Sequence, residues 1–471
     1  MNADIIALVA LVSIALFVVG LKRLSRIRTA RSGNALIAGG MLLAVVLTLV
    51  EQGRIDWRWI LGGLAVGSAV GILIVVRAQA TQMPEIVARF NGFGGAASAL
   101  VALSLFWGVV IEPVSADTAF AALGATAALT AVLSVIIGAV TMSGSVLAEL
   151  KLRGTLDGSP RIPVRTLLMG LAVLTALGAG LVAIGSVDET VAMLAVIGLV
   201  IASILVGVIL VVPIGGADMP VVISLLNSFS GLAAAAAGFA LSNPLLIIAG
   251  TVVGAAGLIL TQIMCVAMNR SLLNVMIGGF GGAVEADTSD YVSITSSDAE
   301  EAAMVLEIAE SVVIVPGYGL AQARAQTAAY DVAKALQLLG VNVRFAIHPV
   351  AGRMPGHMNV VLAEAEVPYE MLFEMDQINQ DLPQTDVVIV VGANDVVNPA
   401  ANTQPNSPIA GMPILDVAGA RRVFVIKRSL SPGYAGIKNE LFDMDNTTML
   451  FGDAKKILDE LAAELQKAAK R

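Results

Sequence analysis

Cysteine and histidine are almost absent from this sequence. It contains one cysteine, Cys265, and two histidines, His348 and His357, among 471 residues. A single cysteine excludes an internal disulfide, and because Cys265 lies in an apolar run we interpret it as a small buried hydrophobic residue. No metal site is predicted. Both histidines follow the last long apolar stretch, so neither is available to carry a proton along the apolar part of the chain.

Charge is also scarce. Charged residues make up 14% of the sequence, hydrophobic residues 57%, and the mean hydropathy is +0.85. These values lie well outside ordinary soluble usage. The net charge of -8, without a basic face, argues against nucleic acid as a partner.

Long apolar stretches fill the chain up to residue 270. Each is roughly 17–25 residues long, the length that crosses about 30 Å of hydrocarbon. We place nine spans near residues 5–21, 35–50, 58–76, 85–110, 117–140, 165–186, 190–212, 220–241 and 244–268. An α-helical bundle in contact with membrane lipid is therefore predicted for residues 1–270.

Basic residues occur mainly in alternate loops between these spans. They follow spans one, three, five and nine: Lys22, Arg23, Arg26, Arg28, Arg31, Arg77, Lys151, Arg153, Arg161, Arg165 and Arg270. The other loops contain only Arg54 and Arg58. The positive-inside rule predicts that the N-terminus is outside and that residues 270–471 are cytoplasmic.

A gapless internal repeat begins spans four and eight. Residues 83–95 match residues 219–231, and the match aligns Asn91 with Asn227. An amide in hydrocarbon is costly without partners. Two interpretations stay open. The asparagines either join neighbouring helices through hydrogen bonds, or they line a polar path across the membrane.

Three further residues are candidates for that path. Ser145, at the end of span five, either joins it or only packs. Asp218 and Arg270 are the ionisable residues nearest the soluble part, and their alternative role is interfacial anchoring.

Beyond the spans, residues 271–310 contain a Gly-rich run at 278–282 and then a polar stretch, which predicts a flexible linker. From residue 311 strands and helices alternate, which predicts a Rossmann-like parallel α/β domain over 311–471. We expect strands at 311–315, 341–347, 387–391 and 423–426, and a helix at 320–339.

Residues after the first predicted strand partly match a dinucleotide fingerprint. Gly317, Tyr318 and Gly319 supply its first two glycines, but Gln322 occupies the third glycine position. This motif is weak alone. Further Gly-rich or polar segments follow other strands, at 350–355, 392–395 and 427–429, where open parallel sheets bind ligands.

Charge in these segments predicts which nucleotide is bound. No acidic residue follows the second strand to hold a ribose 2′-hydroxyl. Arg353, Lys427 and Arg428 suit a 2′-phosphate instead, which favours NADP(H) over NAD(H). The alternative for Lys427 and Arg428 is a solvated turn.

Several segments together carry a resemblance to one family. They are residues 215–222, 267–271, 316–319, 348–357, 392–395, 427–429 and 433–436. Over its whole length the chain resembles the β subunit of the proton-translocating NAD(P) transhydrogenase.

The resemblance implies an oxidoreductase that binds NADP(H) beyond about residue 290. It implies a partner α subunit that binds NAD(H) and adds membrane helices, direct hydride transfer between the two nicotinamides, and inward proton flow that drives NADPH formation. It further implies a dimer of the assembled complex in the bacterial inner membrane.

The resemblance also implies which residues act. Asp395 would lie at the nicotinamide and serve hydride transfer, and residues 427–436 would form a lid. The nucleotide contacts carried over are Tyr318, Val350, Ala351, Gly352, Arg353, Met354, Pro355, Gly392, Ala393, Asn394, Asp395, Val396, Gly411, Met412, Lys427, Arg428, Ser429, Leu430, Ser431, Pro432, Gly433, Tyr434, Asp453 and Ala454.

One position departs from the family. Some members have a membrane histidine where this chain has Asn91, so the resemblance implies that a partner subunit supplies the titratable group. Two alternative functions stay open. A channel or transporter gated by a nucleotide-sensing domain would need no exposed nicotinamide, and a membrane anchor for a redox complex leaves the matched asparagines unexplained.

Overall fold

Helices account for most of the described chain up to residue 269. The computed structural model describes residues 3–24, 27–51, 57–108, 118–156, 164–216, 218–269, 271–277, 291, 293–433 and 435–470. The helices in this part are α1 (Ala3–Leu24), α2 (Ile27–Glu51), α3 (Trp57–Val76), α4 (Met83–Phe106), α5 (Ala119–Leu123), α6 (Ala125–Leu152), α7 (Arg165–Gly185), α8 (Glu189–Val211), α9 (Met219–Ala240) and α10 (Pro244–Ala267).

Nine of these described helices are long and apolar enough to cross a membrane, all except α5. The predicted helical membrane bundle is thereby confirmed. Glycine permits close approach of the helices: a Cβ on Gly231 of α9 would lie 2.8 Å from the carbonyl oxygen of Gly250 in α10.

The fifth predicted span had wrong boundaries. We expected residues 117–140, whereas α6 covers Ala125–Leu152. Gly124, at φ 80°, separates α6 from the short helix α5. At its other end the helix continues past the apolar run because Glu149 has cationic partners. Ser145 therefore lies inside a helix rather than at its end.

The described chain divides into two compact units. The first comprises residues 1–79, 85–213 and 222–260, and the second comprises residues 80–84, 214–221 and 261–471. We call them the membrane unit and the nucleotide unit. The remaining helices belong to the nucleotide unit: α11 (Leu272–Ile277), α12 (Ala299–Glu307), α13 (Tyr318–Gln322), α14 (Gln326–Leu338), α15 (His357–Glu364), α16 (Met375–Ile378), α17 (Ala400–Thr403) and α18 (Ala454–Ala468).

A six-stranded parallel sheet forms the centre of the nucleotide unit. Its strands are β1 (Ser311–Pro316), β2 (Asn342–Ile347), β3 (Leu372–Glu374), β4 (Val387–Val391), β5 (Arg422–Lys427) and β6 (Thr447–Phe451). Their order, β3-β2-β1-β4-β5-β6, is that of a Rossmann fold. Apolar clusters cover both faces, with Phe345 and Leu458 on one and Val388 and Leu441 on the other. This confirms the predicted fold class.

Three local features of this unit differ from expectation. The edge strands β3 and β6 were missed, since β3 has three residues and β6 begins with two threonines. The single helix expected at 320–339 is broken into α13 and α14, because Arg324 has a φ of 51°.

Residues just before β1 pack on the sheet rather than extending into solvent. Ser296 pairs with Met449 of β6, and α12 buries Ala302, Ala303 and Leu306. The Gly-rich run at 278–282 lies outside the described residues.

Candidate functional site

Two glycine loops meet where the strand order reverses. Gly317 follows β1 and Gly392 follows β4, and these strands are neighbours. Gly317 N donates to Val391 O (2.8 Å), and Gly319 N donates to Gly392 O (2.9 Å). Gly392 has a φ of +66°, and a Cβ there would lie 2.6 Å from Leu320 N. The glycines therefore let two backbones touch at the point where such sheets bind nucleotides.

The helix after the first loop is a single turn. α13 spans Tyr318–Gln322, and Gln322, at the third fingerprint position, is its last residue. The incomplete fingerprint thus coincides with a helix that ends early. In most dinucleotide-binding folds the helix continues past this position.

A cavity of about 570 Å³ opens beside these glycines. Many predicted nucleotide contacts line it: Gly317, Tyr318, Gly319, Val350, Ala351, Gly352, Arg353, Gly392, Ala393, Asn394, Asp395, Val396, Met412, Lys427, Arg428, Ser429, Ser431, Pro432, Gly433 and Ala454. Its volume lies within the range of small-molecule and cofactor sites. The structure brings these residues together from six separate stretches of sequence.

Some predicted contacts do not line this cavity, and some lining residues were missed. Met354, Pro355, Gly411, Leu430 and Asp453 are absent from its lining, and Tyr434 lies outside the described residues. The missed residues in the nucleotide fold include Gln322, Ala323, Pro408, Ile409 and Ala435. Ala435 lies within the predicted lid, residues 427–436, although it was not among the predicted nucleotide contacts, whereas no motif could have revealed apolar Ile409.

Three cationic side chains line the cavity, and each has a different interaction partner. The Arg353 guanidinium lies 4.4 Å from the centroid of the Tyr318 ring. Arg428 forms an ion pair with Asp453 (2.8 Å). Lys427 Nζ donates to Ser431 O (2.8 Å), and burial lowers the pKa of Lys427 to about 8 against the opposing effect of Asp395.

Asp395 contacts the predicted lid. Its Oδ2 accepts a hydrogen bond from Ala435 N (3.1 Å). A Cβ on Gly433 would lie 2.6 Å from the same carboxylate oxygen, so the lid backbone packs directly on this side chain. Asp395 thus connects the end of β4 to the segment that follows β5.

The two matched asparagines differ in their contacts within the membrane unit. Asn91 of α4 is buried, and its Nδ2 donates to Ile223 O of α9 (3.2 Å). Its carbonyl accepts from Ser230 Oγ (3.0 Å). Asn227 is half-buried, and no described residue hydrogen-bonds its side chain. Positions that match in the sequence repeat therefore do not make the same contacts.

The other predicted path residues are placed as follows. Ser145 is fully buried, and its Oγ has no hydrogen-bond partner among the described residues. A Cβ on Gly92 would lie 3.3 Å from Ser145 Cβ, which puts Ser145 beside the residue after Asn91. Asp218 is buried and belongs to the nucleotide unit. Arg270 lies outside the described residues.

A cluster of four charged residues between α4 and α6 was not anticipated. Arg89 binds Glu149 through Nε (3.0 and 3.1 Å) and Nη2, and Arg153 also binds Glu149 (2.8 Å). Glu85 lies 3.6 Å from Arg153. Glu149 is one helical turn from Ser145. The presence of charged Arg89 inside span four could have indicated this cluster. Its partner Glu149, however, lies beyond residue 140, the predicted end of span five.

Comparison with known proteins covers both units. The family model for the NAD(P) transhydrogenase beta subunit matches residues 6–464. Two curated relatives are both called NAD(P) transhydrogenase subunit beta and come from Rhodospirillum rubrum, one of them from a named strain. Each is 46% identical over 452 residues, which is 95% of this chain and 96% of the relative. The chain belongs to the NAD(P) transhydrogenase beta subunit family.

Membership in the NAD(P) transhydrogenase beta subunit family confirms the resemblance inferred from the motifs. Together with the nine apolar helices among the described residues, it makes this chain an integral membrane protein and a subunit of an oxidoreductase. A β subunit implies an α subunit as its partner. The roles of individual residues remain predictions.

Proposed function

We propose that this subunit binds NADP(H), receives hydride from NADH held by its partner α subunit, and couples that reaction to inward proton movement. The observation that carries the proposal is the cavity at the strand-order reversal, which three cationic side chains line. Among the described residues that line it, Asp395 is the one acid. This charge balance favours a nucleotide with a 2′-phosphate.

The residues present fit such a nucleotide. The contact of Gly317 and Gly319 with Gly392 leaves backbone, not side chains, beside the cavity. Arg353, Lys427 and Arg428 would hold the 2′-phosphate, with Arg428 exchanging its Asp453 partner for the ligand. When bound, NADP(H) would supply the nicotinamide ring that takes up or releases the hydride.

Asp395 and the lid would position the reacting end. Asp395 holds the lid backbone through Ala435 N and would orient the nicotinamide end of the nucleotide. A lid of residues 427–436 would exclude water around the ring and open for exchange.

Proton movement would follow the polar residues of the membrane unit. Asn91, Asn227 and Ser145 would hold water along the path, with Asp218 and Arg270 near its cytoplasmic end. The Ser145 hydroxyl, which has no hydrogen-bond partner in the described part of the chain, supports this, because such a buried hydroxyl suits a site completed by water. Since no histidine lies in the spans, the partner α subunit would supply a titratable group.

The proposed arrangement follows the sequence-based expectations. Residues 1–270 would form the membrane domain, 271–310 a linker whose last part packs on the sheet, and 311–471 the NADP(H) domain. The N-terminus would face outside the bacterial inner membrane, the nucleotide domain would be cytoplasmic, and the assembled complex would be a dimer embedded in lipid.

The decisive experiment is transhydrogenation by this chain co-expressed with its α subunit in sealed vesicles. We expect NADH-dependent NADP⁺ reduction that is stimulated by an inward proton gradient. Nucleotide binding without hydride transfer would instead support a nucleotide-gated channel. Calorimetry on the purified chain should show preference for NADPH over NADH, and Lys427→Ala should weaken NADPH about tenfold or more, since a charged hydrogen bond is worth roughly 1.5–3 kcal/mol.

Two sets of variants test the residue roles. Asp395→Asn should slow hydride transfer while the membrane helices stay folded, and a normal rate would contradict its role. Asn91→Leu and Asn227→Leu should suppress proton pumping and reverse turnover together. If both assemble and pump at the wild-type rate, the asparagines serve only in packing.

A further inference from the structure

Two buried asparagines hold the segment that follows the predicted lid against the loop after β4. Asn398 Nδ2 donates to Lys438 O (3.0 Å), and Asn439 Nδ2 donates to Asn394 O (3.1 Å). Both asparagines are 0% exposed. Asn439 Nδ2 also donates to Asn394 Oδ1 (2.9 Å). Because Asn394 lines the nucleotide cavity and Asn439 does not, Asn439 acts on the cavity from behind its wall.

The direction of the Asn439 amide is fixed by its surroundings. Its Oδ1 accepts from Leu441 N (3.0 Å), so its Nδ2 faces Asn394. Its backbone N donates to the Tyr291 hydroxyl (3.3 Å), which holds the residue from another side. Turning the amide over would set its oxygen against Asn394 O and its amino group against Leu441 N, with no hydrogen bond at either contact. Asn439 is therefore a fixed donor towards Asn394.

The Asn394 amide lies between this donor and two donors of the lid. In one orientation its oxygen accepts from Asn439, and its Nδ2 donates to Ser431 O over 3.4 Å. In the opposite orientation its oxygen would accept from Lys427 Nζ (3.0 Å) and Gly433 N (2.8 Å). An amide has one oxygen, so Asn394 satisfies Asn439 or the lid, but not both. Because Asn439 can only donate here, it turns the oxygen away from the lid.

This orientation decides how firmly the lid is held. Asp395 Oδ2 already accepts from Ala435 N of the lid (3.1 Å). An Asn394 oxygen turned to the lid would add hydrogen bonds from Gly433 N and from Lys427 Nζ, and it would occupy a cation that lines the cavity. With the oxygen on Asn439, those two bonds are not made, and Lys427 Nζ is left to Ser431 O and to a ligand.

We propose that Asn439 is a positioning residue that turns the Asn394 oxygen away from the lid and thereby keeps the lid free to open for nucleotide exchange. The inference rests on the proposed NADP(H) site. Asn439 does not touch the nucleotide; it acts through Asn394. A merely structural asparagine predicts the opposite result when it is replaced, because lost packing loosens the site and speeds release of the nucleotide.

The rate of NADPH release distinguishes these two roles. NADPH bound to the purified full chain is displaced by excess NADP⁺, and nicotinamide fluorescence follows its release. In Asn439→Leu the fixed donor is lost, so the Asn394 oxygen turns to Lys427 and Gly433. Two added hydrogen bonds to the lid should slow release about tenfold.

Asn439→Asp makes the same test with little change in side-chain volume. Its carboxyl group still accepts from Leu441 N, and when protonated it has a single proton, which Asn394 O accepts. Its remaining lone pairs accept from Asn394 Nδ2, which turns the Asn394 oxygen to the lid. We again expect release to slow about tenfold.

The matched control is Asn398→Asp. This asparagine is equally buried and holds the same segment, but through Lys438 O rather than through Asn394. Its replacement should leave the release rate unchanged or raise it. A double-mutant cycle then tests whether the effect passes through Asn394. In the Asn394→Ala background, Asn439→Asp should cause no further change in the release rate.

Three results would overturn the proposal: unchanged or faster release in Asn439→Asp, equal slowing in Asn398→Asp, or full slowing in the Asn394→Ala background. If one of the two variants at position 439 does not fold, the other decides by the same criterion. A wild-type chain that binds no NADPH would overturn the proposed function, and this inference with it. A wild-type chain that binds NADPH, with variants that release it no more slowly, would overturn this inference alone.

Discussion

The membrane unit and the nucleotide unit hold their interiors together by different means. In the membrane unit, serine hydroxyls donate to carbonyls of other helices: Ser134 to Ala233 O (3.0 Å) and Ser228 to Gly254 O (2.7 Å). In the nucleotide unit, β4 is buried along its whole length by aliphatic side chains. Lipid gives helices no hydrophobic driving force to associate, so close glycine contacts and hydroxyl hydrogen bonds hold the membrane unit together. In water, burial of apolar surface is enough to hold the nucleotide unit together.

The difference in composition also supplies separate optical reporters. All three tryptophans lie before residue 110, and all five tyrosines lie after residue 290. Tryptophan emission therefore follows the membrane unit, and tyrosine circular dichroism follows the nucleotide unit, in the same intact chain.

The largest expected difference between the units is their response to acid. Burial lowers the pKa of His348 and of His357 to about 4, while an unfolded histidine titrates near 6.5. Between these values the unfolded state binds more protons, so stability falls as pH decreases through that window. By pH 4, each histidine would lower the free energy of unfolding by roughly 3 kcal/mol relative to neutral pH. We expect the tyrosine signal to be lost in urea at lower concentration as pH falls from 7 to 4.

The tryptophan signal is the control, because the spans contain no histidine. The dependence of the unfolding free energy on pH reports the number of protons taken up on unfolding. In the nucleotide unit this number should fall by up to one in His357→Asn. An unchanged urea midpoint between pH 7 and 4 would contradict the expected neutral, buried state of both rings.

Gly392→Ala should destabilise the nucleotide unit by about 4 kcal/mol. The positive φ costs roughly 1–2 kcal/mol for a residue with a side chain, and the clash with the α13 backbone adds roughly 1–3 kcal/mol. Gly340→Ala is the matched control: its φ is +82°, but nothing lies within 4 Å of its Cβ position. Urea unfolding followed by tyrosine dichroism should separate the two, and equal effects would show that the contact between the glycine loops is unimportant.

In the membrane unit, Glu149→Gln should cost roughly 3 kcal/mol. Breaking a buried ion pair costs about 3–5 kcal/mol, and the partial exposure of Arg89 reduces this. Glu85→Gln is the control, since Glu85 lies 3.6 Å from an exposed Arg153 and should contribute about 1 kcal/mol or less. The measurement is thermal unfolding in detergent by tryptophan emission. Equal melting temperatures for both variants would mean that the cluster does not join α4 to α6.

Gly231→Ala should destabilise the membrane unit by roughly 1–3 kcal/mol, because the added methyl group meets the backbone of α10. Gly67→Ala on α3 has nothing within 4 Å of its Cβ and should leave the melting temperature unchanged. A shift of equal size in both would mean that helix propensity, rather than close packing, governs these glycines.

The smallest expected effect is on nucleotide affinity at alkaline pH. Since the Lys427 pKa is about 8 and a bound phosphate would raise it, binding takes up a proton near that pH. NADPH affinity should fall up to about tenfold between pH 7 and 9. Lys427→Arg should flatten this dependence, because guanidinium stays charged. Calorimetry in buffers of different ionisation enthalpy measures the proton directly, and no uptake at pH 8 would contradict the prediction.

The sequence predicted the broad features because they depend on neighbours along the chain. Apolar run length predicted nine spans, alternation of strands and helices predicted the parallel sheet, and glycine at 317, 319 and 392 predicted loops at strand ends. Boundaries failed where a distant partner decided them: α6 extends to Leu152 because Glu149 meets Arg89 across 60 positions. β3 was missed because its three residues rely on pairing with β2.

For the candidate site, the sequence by itself determined which charges are available, and the tertiary structure determined the contacts. Residue type alone predicted that Arg353, Lys427 and Arg428 favour a 2′-phosphate. Only the folded chain placed them around one cavity, set Asp395 against the lid, and put the Arg353 backbone on the His357 ring. Charge is a property of each side chain, whereas a hydrogen bond or a glycine contact needs two positions that the fold alone brings within reach.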